Sequence, residues 1–347
     1  MIRSIQATHP CIAIGVLVLA SFLVYANTLQ NGFVYDDTTF VLKDQSLRQW
    51  SMLSSQFQSL RPIKSVTLMI DYQLWGLNPM GYHLTNILLY TLCTMAFYYL
   101  VLLISQIHRI ALLAGLFFAL HPIHTEVVAN ITNRKDILVT LFLMLAFILY
   151  IKKRRSPLGY LGALILYILA LLSKEIAAVA FLPLALLYDF YYRSGENTSR
   201  LKKAVIRLSP FAGITIAGAV FMLWVAPSYM KPSRFFVMAY PEHWGTVARA
   251  FLKYFQLLLF PVNLHADHFI PSPDSILDPW AISGVFLLSF LIFAAVRAYW
   301  HLPLLTFGLA WVILAWLPIS NILPVVHNYV AERYFYLPSA GFCLALA

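Results

Sequence analysis

Charge is what this chain has least of. Only 11% of its 347 residues are Asp, Glu, Lys or Arg, only 14 are acidic, and 61% are hydrophobic, with a mean hydropathy of +0.76. A soluble globular chain is about half apolar and about a quarter charged, so that class is excluded and an all-α integral membrane protein is implied. Whole stretches carry no charge at all: 4–35, 72–108, 110–125, 137–151, 156–173, 208–230 and 279–296. Most reach the roughly 20 apolar residues that cross about 30 Å of hydrocarbon.

Other absences narrow the field. The three cysteines, Cys11, Cys93 and Cys343, all fall in apolar segments, which leaves no disulfide frame and no thiolate metal site. There is no Gly-rich phosphate loop, no Ser–His–Asp pattern, no nucleotide motif and no internal repeat. The first apolar run is too long for a cleaved signal and lacks the small-residue cleavage pattern. The net charge of +10 would suit nucleic acid, but its densest runs, 152–155 and 200–207, lie in short connections between apolar spans. That is the positive-inside signature of cytoplasmic loops, and no nucleic-acid partner is expected.

Anchoring those two loops inside fixes a topology by alternation. Span 1 (about 10–29) leaves Asp36 and Asp37 outside. A long outer loop, 30–82, holds Arg61-Pro62 and the amphipathic stretch Asp71 to Trp75. Spans follow at 83–105, 109–121, 136–151, 157–172, 176–192 and 208–227, then 279–297, 302–318 and a last helix from about 334, a bundle of about ten. Arg249, Lys253 and Gln256 recur at helical spacing on one face of 245–262. Two cations at mid-span are costly, so this segment is read as a helix lying in the outer interface, its cations contacting anionic lipid headgroups. The chain stops about 14 residues into its last helix, a reach of about 21 Å, which predicts a truncated C-terminus.

Polar clusters punctuate the outer face. Two adjacent carboxylates, Asp36 and Asp37, repel each other and resist burial at a membrane boundary. They read either as loop solvation or as a general base beside a neighbour that raises its pKa. In His121-Pro122-Ile123-His124-Thr125-Glu126 the spacing is not that of a zinc helix, and no metal site is assigned; capping and interface anchoring compete with an active-site wall. Arg134 and Asp136 follow, with mutual pairing as the simpler reading. Lys174-Glu175 is either helix-end charge or a phosphate or sugar contact. Asp267-His268 and Glu332-Arg333 complete the rim; Arg333 either forks onto a phosphate or pairs with Glu332. The sequon Asn130-Ile131-Thr132 lies too close to the bilayer for use.

The wording of these clusters resembles a known family. Phe33-Val34-Tyr35-Asp36-Asp37, Arg61-Pro62, Gly81-Tyr82-His83-Leu84-Thr85-Asn86, His121 to Glu126, Ser173-Lys174-Glu175 and Ala331-Glu332-Arg333-Tyr334-Phe335-Tyr336-Leu337-Pro338 occur in that order. Together they look like the membrane domain of the transmembrane and tetratricopeptide-repeat O-mannosyltransferases and their bacterial relatives, within the GT-C glycosyltransferases. The resemblance runs from about residue 25 to the end and implies a single GT-C-like membrane domain.

That resemblance implies a polyprenyl-phosphate sugar donor and transfer of a sugar such as mannose to a protein hydroxyl on the periplasmic or lumenal side. It matches Asp36, with Asp37 beside it, to the catalytic carboxylate, Glu126 to the second-loop acid and Arg333 to a donor-phosphate contact. Lys174, Glu175, His121, His124, Arg61, Arg134, Asp267 and His268 are the further candidates for donor phosphate or sugar. A divalent metal is optional, because side chains can neutralise the leaving phosphate. The expected location is a bacterial inner membrane, or the endoplasmic reticulum membrane in a eukaryote. The family continues through more spans into tetratricopeptide repeats, and this chain does not. Two rivals stand beside the reading: a GT-C transferase acting on glycan or lipid, and a membrane transporter or lipid-binding protein without chemistry. A transporter predicts ionisable residues within the spans and internal repeats, whereas here the charges gather at one rim.

Overall fold

The computed structural model describes residues 10–153, 156–192, 197–225, 240–273, 275, 278–322 and 328–347. Among the described residues the regular structure is helical, with a single isolated β-bridge between His268 and Val330. The chain forms two compact units, Met1–Glu175 with Leu346–Ala347, and Ile176–Ala345.

The first unit holds α1 (Pro10–Tyr25), α2 (Leu53–Gln56), α3 (Pro62–Trp75), α4 (Pro79–Ser105), α5 (His108–Leu120), α6 (Thr125–Ala129), α7 (Arg134–Lys153) and α8 (Pro157–Ser173). The second holds α9 (Ala177–Tyr192), α10 (Asn197–Val225), α11 (Tyr240–Leu259), α12 (Pro279–Ala298), α13 (Pro303–Trp316) and α14 (Tyr336–Leu346). Proline opens many of these helices, where its missing N–H costs nothing. Asn78 caps α4 through Met80 N at 3.1 Å, and Ser156 and Asp278 cap α8 and α12 in the same way.

Among the described residues, four helical stretches are long and apolar enough to cross a membrane: Cys11–Gln30, Pro79–Ser105, Leu201–Phe221 and Pro279–Ala298. His108–Leu120 with Pro122–Ala129, bent by 51°, makes a fifth if the pair is one span, and α8, α9 and α13 are shorter apolar helices. The chain is an all-α membrane protein.

In the first unit α4 is the central post, packed by α1, α5 and α7, with α8 against α7. The Tyr90 hydroxyl ties α4 to the end of α5, donating to Phe118 O at 2.8 Å and Ala119 O at 3.0 Å. In the second unit α13 and α14 meet at Gly308 and Gly341. A Cβ on Gly341 would stand 2.5 Å from Gly308 O, so only glycine permits that approach.

The segment between α1 and α4 differs from its expected form. The stretch Asp71 to Trp75 ends α3, but its polar side is not the wet one. Asp71 and Lys64 are buried, while Leu74 is 65% exposed. The helix turns Lys64 and Asp71 onto protein together with Leu68 and Met69, and leaves Ile70, Leu74 and Trp75 exposed.

Candidate active site

The turn after α1 separates the two adjacent carboxylates. Tyr35 sits at φ 50, a left-handed conformation that bulky residues rarely adopt. Strain of this kind gathers at functional sites. Beyond the turn, residues Thr38–Leu42 form one π-helical turn, and Asp36 O accepts from Thr39 N and Phe40 N. Asp37 is fully buried: one carboxylate oxygen accepts from Val34 N at 3.2 Å, the other from Thr132 N at 2.9 Å. Burial pushes the Asp37 carboxyl above the usual range, and these N–H groups pull it partly back. Asp36 is exposed, and among the described residues its carboxylate accepts no hydrogen bond. One acid is a fastener and the other is available.

Thr132 belongs to a 3-10 turn, Ile131–Asn133, between α6 and α7. Asn130 Oδ1 accepts from Thr132 Oγ1 at 2.8 Å and from Asn133 N at 3.2 Å, and Thr132 is buried. The sequon is thus folded into the turn that grips Asp37. The same turn reaches Glu126, whose Oε1 accepts from Asn133 Nδ2 at 3.2 Å. Glu126 is half-buried.

Arg134, next along, is fully buried and does not pair with its neighbour Asp136. It lies 2.5 Å from Asp71 and donates to Asn86 Oδ1 at 2.7 Å, Tyr82 O at 3.1 Å and Thr67 O at 3.3 Å. Thr85 Oγ1 donates to the other Asp71 oxygen at 2.8 Å. Asp136 pairs instead with Lys174 at 2.5 Å, both buried. Glu175 pairs with Arg61 at 2.7 Å. Glu175 is exposed, and the Arg61 guanidinium with the Lys174 charge holds its carboxyl below the usual range.

Two lysines join this cluster that the sequence reading left out. Lys64 is buried, and its ammonium lies 3.7 Å from the centre of the Phe40 ring and makes no hydrogen bond among the described residues. Burial, then the Arg61 charge, holds its pKa down at about 8, while Asp36, Asp44 and Asp37 pull the other way. Lys135 donates to Asn133 Oδ1 at 3.0 Å and lies within electrostatic reach of Asp136, Arg61, Lys174 and Lys64. A signal for Lys64 existed: it stands three residues after Arg61 in a helix begun by Pro62, the spacing of one helical face.

His121 and His124 are engaged in structure. His121 Nδ1 accepts from Ile123 N at 3.2 Å, capping a short turn, and buried His124 bonds Tyr90 OH through Nδ1 at 3.0 Å. Their rings stand 5.8 Å apart. Among the described residues no group of three or more His, Cys, Asp or Glu is placed to hold a metal ion.

Asp267, His268, Glu332 and Arg333 form a cluster of their own in the second unit. Arg333 does not pair with Glu332. It donates to Ala266 O at 3.2 Å and stands 3.5 Å from Asp267, which also accepts from Asn328. Glu332 is buried and accepts from His265 N at 2.5 Å, with His268 Nε2 at 3.1 Å. The segment 245–262, read as an interfacial helix, falls largely in α11, which packs its buried face on α12. Arg249 holds the cap residue Asp278 and Pro271 O, and Lys253 reaches Gln256 at 3.2 Å. Arg249 is therefore a structural cation, whatever lipid lies nearby.

Comparison with known proteins gives a consistent result. The Caenorhabditis elegans protein O-mannosyl-transferase F38B6.6 is 32% identical over 96% of this chain and 50% of its own length. The Homo sapiens protein O-mannosyl-transferase TMTC1 is 28% identical over 96% and 45%, and the Mus musculus TMTC4 enzyme is 29% identical over 95% and 54%. The chain spans about half the length of the curated relatives it matches. No protein-family model and no solved structure matches it. Over nearly its whole length, then, this chain is a homologue of the transmembrane and tetratricopeptide-repeat protein O-mannosyl-transferases, the glycosyltransferase family that its motifs resemble.

Proposed function

We propose that this chain is the membrane-embedded catalytic part of a protein O-mannosyltransferase that takes its sugar from a polyprenyl phosphate at the periplasmic or lumenal face. The carrying observation is the division of labour at the first outer turn: Asp37 is bolted to two backbone N–H groups, and Asp36 beside it faces solvent. The names of the relatives support the transferase class.

Asp36 takes the proton of the acceptor hydroxyl as that oxygen attacks the anomeric carbon from the side opposite the phosphate. The bond from that carbon to the phosphate oxygen breaks, and its electron pair stays on the lipid phosphate. Charge grows there, and fixed cations stabilise it. Lys64 suits that role in the first unit, being close to Asp36 in electrostatic terms and without a hydrogen-bond partner among the described residues. Arg61 and Lys174, each already holding a carboxylate, are further candidates. Glu126, held by Asn133, sits on the turn that anchors Asp37 and belongs to the same site in this reading. Taking α7, α8, α9, α13 and α14 as spans beside the four long ones and the bent pair gives the bundle of about ten.

The test is transfer of label from radiolabelled polyprenyl-phosphate mannose into the protein fraction of membranes carrying this chain. General-base help is worth about 10²–10⁴ in rate, so Asp36→Asn should lose at least that lower factor with an unchanged melting temperature. Normal turnover in purified Asp36→Asn would overturn the assignment. Label entering only a lipid or glycan fraction would move the acceptor from protein to those classes.

A further inference from the structure

Six charged side chains gather around the starts of α3 and α7 and the end of α8, and their charges do not balance. Arg61 holds Glu175 at 2.7 Å and Lys174 holds Asp136 at 2.5 Å, so both carboxylates are taken. Lys64 and Lys135 are left over. They are 6% and 8% exposed, and among the described residues neither forms an ion pair. A buried cation without a counter-charge is costly, and two of them together are costlier. The transfer step proposed above enlists only the first.

Hydrogen bonds place both lysines beside the proposed base. Arg134 at the start of α7 reaches Asp71 and Thr67 O on α3, tying the two helices together. Thr67 Oγ1 in turn donates to Lys64 O at 2.8 Å, so that tie falls within one turn of Lys64. The Lys64 ammonium lies on the Phe40 ring, and Phe40 N donates to Asp36 O at 2.9 Å. Lys135 donates to Asn133 Oδ1 at 3.0 Å, and the same amide donates through Nδ2 to Glu126 at 3.2 Å. Asn133 thereby pins the second ammonium beside the turn whose Thr132 holds Asp37. The two ammoniums lie within electrostatic reach of each other. Lys64 Nζ is not one of the polar atoms sealed away without a partner, so it keeps a solvent-facing edge.

The unspent donors define the ligand. An ammonium has three N–H groups. Lys135 gives one to Asn133 and Lys64 gives none among the described residues. A sugar phosphodiester carries one charge on two free oxygens, whereas the monoester left after transfer carries about 1.5–2 charges on three. Two surplus ammoniums match the monoester. We propose, on the footing of the transfer reaction above, that Lys64 and Lys135 form one site for a lipid phosphate monoester. It holds the polyprenyl phosphate left by transfer more tightly than the sugar diester that enters, so the spent carrier inhibits the chain until it is withdrawn. The extra charge appears only as the sugar bond breaks, so the same preference speeds transfer and slows product release.

The experiment measures how well a short-chain polyprenyl monophosphate and its methyl diester displace radiolabelled polyprenyl monophosphate from the full chain in nanodiscs. The monophosphate should bind at least about tenfold tighter than the diester, the scale of hydrogen bonds to a charged group. It should inhibit transfer at the concentration at which it binds. Lys64→Met and Lys135→Met should each cut the ratio to about threefold or less, whereas Lys135→Arg should keep it. Melting temperature is the folding control, and if one methionine variant fails to fold, the wild-type ratio and the other variant decide. Equal binding of monophosphate and diester, or a ratio that survives both methionine variants, would overturn the site. Displacement by inorganic phosphate at the same concentration would assign the site to free phosphate and overturn its assignment to a lipid. Transfer without any preference for the monophosphate would sink the site alone. Absence of transfer from every polyprenyl-phosphate sugar, with the preference still carried by both lysines, would instead sink the transfer reading and the inhibition built on it, leaving the two-lysine site standing.

Discussion

Thr132 donates its backbone N–H to a carboxylate oxygen of Asp37 at 2.9 Å, joining the loop after α1 to the turn before α7. That bond explains why two adjacent acids have different fates. The left-handed Tyr35 begins a turn in which Asp37 goes inward to meet Thr132 and Val34, leaving Asp36 at the surface.

Asp37→Ala removes the acceptor of two backbone N–H groups, one of them buried against Thr132. An orphaned buried donor costs about 1–3 kcal/mol, so the melting temperature should drop. Asp37→Asn is expected to destabilise as well, because its NH₂ must face one of the two donors. Transfer should fall roughly 10²-fold in either variant, since a shift of about 1 Å at a reacting group has that effect. Asp36→Asn supplies the contrast: lost transfer with melting unchanged.

Arg134 and Asp71 are a buried pair, at 0% and 2% side-chain exposure. Breaking such a pair from one side strands a charge and costs about 3–5 kcal/mol. Asp71→Asn or Arg134→Met alone should therefore lower the melting temperature sharply. The double variant Asp71→Leu with Arg134→Met should recover a large part of that loss. Recovery of stability without recovery of transfer is expected, because the 3-10 turn carrying Thr132 would still lack the bonds from Arg134 to Asn86 and Tyr82.

Arg61 and Glu175 offer the opposite case. Their side chains are 25% and 47% exposed, and pairs of this kind contribute about 0–1 kcal/mol. Glu175→Gln should leave the melting temperature nearly unchanged. Arg61→Ala should also melt normally, yet raise the KM for the polyprenyl-phosphate donor if its guanidinium serves the leaving phosphate. An unchanged KM would confine Arg61 to its pairing role.

Much of the helical framework was legible because apolar runs free of charge report directly on spans. The end of the first span near residue 30, short of Asp36-Asp37, was readable for the same reason. The ion pairs were not. Arg134 and Asp136 are neighbours in sequence, but the first reaches Asp71 on α3 and the second Lys174 after α8. Periodicity says which face of a helix is apolar; it does not say which other element that face meets. Arg249 misled in the same manner, as its stripe with Lys253 looked wet until Asp278 closed on it. For Lys64 the spacing from Arg61 gave the helical face but not the burial: a lysine is expected in water, and only packing shows that this one is buried.

Lys64 gives the sharpest test, because its effects on stability and on activity run in opposite directions. Its folded pKa, about 8, lies below the unfolded value of 10.5 because burial and Arg61 disfavour the ammonium. Between those values the unfolded chain binds more protons than the folded one, so stability rises with pH across that window. Below about 8 both forms are protonated and the full penalty of burying the charge is felt. Transfer should move the other way, falling as the ammonium that would face the leaving phosphate is lost. Lys64→Met should flatten the pH dependence of melting and depress transfer at every pH. Lys64→Arg should stay charged and carry the alkaline limb of the rate profile outward. A rate profile identical in Lys64→Met and wild type would remove Lys64 from the chemistry and leave it as a buried structural cation.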